Sequence, residues 1–255
     1  MDTVAPDPGT DPRSALQVDL VEMLQALGAA ERVLFERVPA ERREGAGSIG
    51  SWSVKDVRAH LAAWRAIEAR RLEAPATRKD PGKDPGQDGD PATDDPVDES
   101  NEILHARYAD WSWEAVGREA EASIGALVDV IGRSSTEMLC ECDGTFAGIG
   151  ANGVNHAMGH LPDVATLGGG GDRFGEFVRE VEAILGRNHL MPRDSGVILY
   201  NVACARALSG DLDEARRLLR AAFTRRGDLL ESAMEDPDLA ALSGELAALA
   251  PGAAV

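Results

Sequence analysis

The chain has 255 residues, a formal net charge of −18 and 44% apolar residues, which is room for one large domain or two small ones and ordinary material for a core. That acidity argues against a nucleic-acid partner, because phosphate binding needs clustered Lys and Arg. No apolar run approaches membrane-spanning length, the first fourteen residues lack the basic-then-apolar order of a signal peptide, and Cys140, Cys142 and Cys204 make no disulfide framework, so the expectation is a reducing cytoplasm with no membrane partner.

Residues 1–13, rich in Pro and Asp, are expected to be a disordered tail. From Ser14 to Pro39, Leu16, Leu20, Met23, Leu24, Leu27, Val33, Leu34 and Val38 keep helical spacing, predicting a first helix that Pro39 closes. Ser53 and Asp56 then read as a weakened capping box, a hydroxyl and a carboxylate that can each accept from the free amides of a first turn. Trp52 precedes that cap, where an apolar residue staples onto the turn. Val54, Val57, Leu61 and Trp64 follow at steps of three and four, predicting a second helix to about Leu72. His60 falls among these packing residues, where a polar ring is costly without a partner. Alone, it reads as a core histidine bonded to a carbonyl or carboxylate. Residues 74–97, rich in Pro, Gly and Asp and nearly free of apolar side chains, are expected to be a disordered insertion rather than a flap over the bundle.

A third helix is predicted from Val97 through Ile103, Leu104 and Tyr108, broken at Trp111–Glu114 with Ser112 as a new cap, and continued by Val116, Ala120, Ile124, Leu127, Val128 and Ile131. His105 falls off its stripe and reads as surface. The fourth helix, Ile149–Leu167, carries His156 and His160 four residues apart, neighbours on one helix face. Gly159 weakens it and Pro162 is placed to kink it. With His60 from another helix, the pair makes the three-nitrogen set of catalytic zinc-type sites, with a fourth position open. A fifth amphipathic helix runs from Phe174 to Leu185, and His189 reads as a helix-end residue. Beyond Ser195, Leu199, Val202, Ala203, Gly210, Ala215, Leu219 and Ala222 fall where a tetratricopeptide helix pair places small and apolar contacts, while Arg206 and Gly227 depart from it. A lone repeat must pack on the bundle, on its own last helix, or on a partner. Asp236-Pro237 reads as the start of that last helix.

The Trp52–Val57 run (WSVKDV), His60 ahead of Leu61-x-x-Trp64, and the paired-histidine helix together resemble the DinB-like superfamily over roughly residues 14–168. Asp98–Leu139 is similar to its ClbS/DfsB branch, whose third helix opens with Asn-Glu. The resemblance implies an up-down four-helix bundle, hence an all-α fold, spanning 14–190, with the tetratricopeptide-like appendage over 191–255. It also implies thiol-linked transfer for the superfamily at large, and detoxifying ring opening of strained electrophiles for the branch. The expected reading is a metal- or histidine-dependent transferase or hydrolase acting on a small molecule. His60, His156 and His160 are the expected ligands of a divalent metal (zinc, nickel or iron), with a low-molecular-weight thiol as a possible co-substrate. His60 and Glu68 are the candidate acid–base residues, Glu68 lying two turns beyond His60. Trp52, Trp64 and Asn152 are the candidate substrate-binding residues, although core packing competes for both tryptophans. The alternative is a non-catalytic module that sequesters a small molecule or docks another protein through residues 195–250. A homodimer is also open.

Overall fold

The computed structural model describes residues 12–45, 52–73, 97–135, 138–139 and 151–252. The expected N-terminal tail, the expected insertion at 74–97, and Cys140 and Cys142 therefore lie almost wholly outside the described residues. Within them the chain is all-helical, with no β-strand. The longer helices are α1 (Pro12–Arg37), α2 (Val54–Glu73), α3 (Val97–Tyr108), α4 (Trp113–Arg133), α5 (Leu161–Gly168), α6 (Gly171–Leu185), α7 (Pro192–Leu208), α8 (Leu212–Arg225) and α9 (Leu229–Glu235). No helix among the described residues is long and apolar enough to cross a membrane.

Local chemistry sets the boundaries. The Ser53 N–H and hydroxyl both donate to Asp56 Oδ2 (2.9 and 2.7 Å), and the Asp56 N–H donates back to Ser53 Oγ (3.1 Å), so the capping box is complete. Ser112 caps α4 by accepting from the Ala115 N–H at 3.2 Å. Asp236 accepts from the Asp238 N–H at 2.9 Å, but what it starts is two 3-10 segments, Pro237–Leu242 and Leu246–Leu249, rather than one last α-helix.

The fourth helix departs further from its expected form. A π-type turn, Ala151–Asn155, holds Gly153 at non-helical angles (φ −91°, ψ −112°). A single turn, His156–Met158, follows, and the chain then breaks at Gly159-His160 before α5. Pro162 in the first turn of α5 has no N–H to give to a continuing ladder, so the helix restarts there instead of bending.

Helix α1 packs on α4, α5 and α6, and α2 packs on α3, α4 and the π-type turn. One apolar core runs from Leu16 through Phe177 to Leu249. The C-terminal pair α7–α8 joins this core: α7 touches α6, the π-type turn and His156–Met158. Arg206 donates to Glu182 from Nε (2.8 Å) and Nη2 (2.5 Å), tying α7 to α6. A Cβ at Gly196 would lie 2.8 Å from Arg226 Cγ, so only glycine lets α7 come this close to the end of α8.

One polar network crosses the core, made of Arg65, Glu31 and Ser123. Arg65 on α2, 0% exposed, donates to both oxygens of Glu31 on α1 (2.7 and 2.9 Å) and from Nε to Ser123 Oγ on α4 (3.1 Å). Ser123 passes its own hydroxyl proton to Ala120 O at 2.8 Å. Three helices are thereby held in one register.

Candidate metal centre

His60 lies seven residues after the Ser53 cap, on the side of α2 that faces the π-type turn. It is buried, with 7% of its surface exposed. Its Nε2 stands 2.6 Å from His156 Nε2. The break at Gly159-His160 does not separate the pair: the His156 and His160 ring centroids are 5.3 Å apart, and His160 is 5.4 Å from His60. The donor nitrogens of all three lie within 4.8 Å of one another. The expected convergence therefore occurs, with His160 arriving from a helix cap and not from the next turn of a continuous helix.

The electrostatics suit ligation by neutral imidazole. Burial, reinforced by His156, His160 and Arg65, pushes the His60 pKa from 6.5 down to about 2. Burial, His160 and Arg65 bring His156 to about 3. Burial lowers His160 as well, against the charge of Asp163. Neutral imidazole is the form that binds zinc, nickel or iron. Among the described residues, buried His60 Nδ1 has no hydrogen-bond partner, an orphaned group of the kind that bound ions or waters account for. A cluster of three neutral donors with no carboxylate ligand fits a divalent ion of this class.

Trp52 forms the wall. Its ring is 4.6 Å from His60 and nearly parallel to both His160 (6.5 Å, 19°) and His105 (6.3 Å, 18°). Beside it is a cleft of about 10 Å³ lined by Trp52, Asp56, His60, Asn101, His105 and Tyr108, the volume of a single water probe. Trp64 is not in this lining. It packs on Ala59, Ala63, Ile67 and Leu104 and donates to Asn101 Oδ1 at 3.1 Å, so its effect on the cleft is to hold Asn101. Glu68 is buried eight residues along α2 from His60, about 12 Å at 1.5 Å per residue, and is not brought to the cluster. The Asn152 side chain lies outside the described residues. Trp111 is 37% exposed and edges Tyr108, whereas Trp113 is buried with the guanidinium groups of Arg43 and Arg58 over its ring.

His105 was the residue missed. It is exposed, as its sequence position suggests, yet it faces the cleft, with Nε2 3.5 Å from Asp56 Oδ2. Burial works against ionisation of Asp56, but hydrogen bonds from Ser53 and the charge of His105 hold its pKa below the usual carboxylate range. The usable signal was Asn101, His105 and Tyr108 at i, i+4 and i+7, one face of α3. His189 is no ligand here: its Nδ1 bonds Asp19 Oδ2 at 2.9 Å.

No family model, curated protein or solved structure matches this chain. The reading of the site rests on its own chemistry.

That chemistry carries a pH prediction. Below pH 6.5 an unfolded chain protonates its histidines, whereas folded His60 and His156 stay neutral down to about 2 and 3. Metal-free protein is expected to lose stability as pH falls through 6.5, by about 1.4 kcal/mol per pH unit for each histidine. Urea titrations at pH 7 and about pH 5 measure this, above most carboxylate titration. His60→Ala should flatten the slope, and an unchanged slope would refute the assignment.

Proposed function

We propose that the chain is a DinB-like up-down four-helix bundle with a tetratricopeptide-like tail, and that His60, His156 and His160 hold one divalent ion, zinc, nickel or iron. On this reading it is a cytoplasmic transferase or hydrolase for a small electrophile, working by thiol transfer or hydrolytic ring opening. The observation that carries the reading is the convergence of three neutral imidazoles, from segments about a hundred residues apart, with donor atoms within 4.8 Å.

An ion with an open position would supply either a water acidified to a pKa of about 7 or a bound thiolate. The chain's own residues do the rest. Trp52 walls the cluster and keeps His60 and His160 in place from one side. His105, oriented by Asp56, is the exposed imidazole placed to take a proton from a nucleophile at the cleft, while Ser53 fixes Asp56. Glu68 has no part in this scheme.

The test is elemental analysis of tag-free protein, wild type beside His156→Ala. Near-stoichiometric metal in the wild type, lost in the variant, is the expected result. No metal in either after ions are added back would sink the reading. The small cleft favours a second reading in which the site holds its ligand without turnover. Thiol-transfer and epoxide-hydrolysis assays on loaded protein separate the two.

A further inference from the structure

A larger cleft, independent of the metal reading, opens on the other side of α2. Arg58 precedes His60 by two residues, so at about 100° per residue it leaves the helix roughly opposite to it. There, between α1, α2 and α4, lies a cleft of about 390 Å³ whose lining includes Gln25, Ala29, Arg32, Arg58, Glu121 and Ile124, within the range of small-molecule sites.

Arg58 is the unusual member. It is only 5% exposed, and its guanidinium lies over Trp113 (4.8 Å) and Phe35 (5.3 Å). Among the described residues its buried Nε has no hydrogen-bond partner, and no carboxylate forms an ion pair with it. Glu31 also lines the cleft, but both its oxygens are taken by Arg65. Space is built for the guanidinium: a Cβ at Gly117 would lie 2.9 Å from Arg58 Nη1. Glu31, Glu121 and Glu36 act on it only across space, and a buried cation with no carboxylate in direct contact is costly. With Glu31 paired to Arg65, the charges around the guanidinium are Arg32, Arg43 and Arg58 against Glu36 and Glu121, a locally positive balance on a chain of net charge −18.

We propose that this cleft binds a small molecule carrying an oxyanion group, carboxylate or phosphate, seated against Arg58 and Arg32, with Gln25 and Glu121 meeting its hydrogen-bond donors. Guanidinium is the side chain best matched to either group, through paired N–H donors.

The test is calorimetric titration of the full chain with inorganic phosphate and, separately, with succinate, against chloride at equal ionic strength. Saturable one-to-one binding of at least one probe is expected, and the probe that binds identifies the headgroup. Arg58→Gln and Ala29→Leu should each weaken it about 10-fold or more. Ala29→Leu narrows the cleft and keeps the Arg58 guanidinium, so it decides the matter even if Arg58→Gln fails to fold. Saturation by neither probe, or affinity unchanged in Ala29→Leu, would overturn the proposal.

Discussion

Arg65→Met is expected to destabilise the protein by about 3–5 kcal/mol, the range for removing one partner of a buried ion pair. Methionine replaces the aliphatic length of arginine, so little of the loss comes from packing. What remains is the Glu31 carboxylate, its side chain 5% exposed, stripped of both hydrogen bonds, and a Ser123 oxygen without its Nε donor. Glu31→Leu combined with Arg65→Met should recover much of the loss, because the double variant leaves no buried charge. Urea midpoints with unchanged m-values give these differences. A loss in Arg65→Met below about 1 kcal/mol would mean the pair does not hold the three helices as described.

Zinc added to chelator-stripped protein should raise its unfolding free energy by about 4 kcal/mol at a thousandfold excess over the dissociation constant. The gain arises because the three imidazoles are gathered only in the folded chain; unfolded, His60 and His156 are separated by 96 residues of sequence. His60→Ala and His160→Ala should each abolish most of the gain, whereas His189→Ala, which removes a ring bonded to Asp19, should leave it intact. Thermal melts with and without zinc measure both arms. An equal zinc response in wild type and His60→Ala would mean binding elsewhere, for which the Cys204, Asp236 and Asp238 group is the first place to look.

Much of the local architecture was legible because it is written in short-range chemistry. Ser53-Asp56, Ser112 and Asp236-Pro237 each act within three residues, and each forms its cap. The gathering of His60 with His156 was legible because a polar ring on an apolar stripe asks for a partner. The same logic was available for Glu31, which falls four residues after Leu27 and three before Leu34, and for Arg65, four after Leu61. Read as misplaced charges, they could have been matched to each other. The break at Gly159-His160 was not legible in detail, because glycine and proline mark a weakness without stating its geometry. His105 and Arg58 were missed for a different reason: His105 falls off its helix's apolar stripe, and nothing in the sequence around Arg58 marks its side chain as buried. Only tertiary packing shows that Trp52 covers the first while Trp113 and Phe35 cover the second.

Asn201 on α7 donates from Nδ2 to Asn155 Oδ1 at 3.2 Å, one residue before His156. The irregular histidine segment thus leans on the C-terminal helices, and it has little regular ladder of its own to keep its shape. A deletion near residue 190, or an exchange of the tail for one from another protein, would do more than remove an appendage. It would unclamp the turn that aims His156, and affinity at the cluster would then report on residues far along the chain. The tail is in this sense a splint for the histidine cluster, and its absence would be felt as a displaced His156 before any loss of helix.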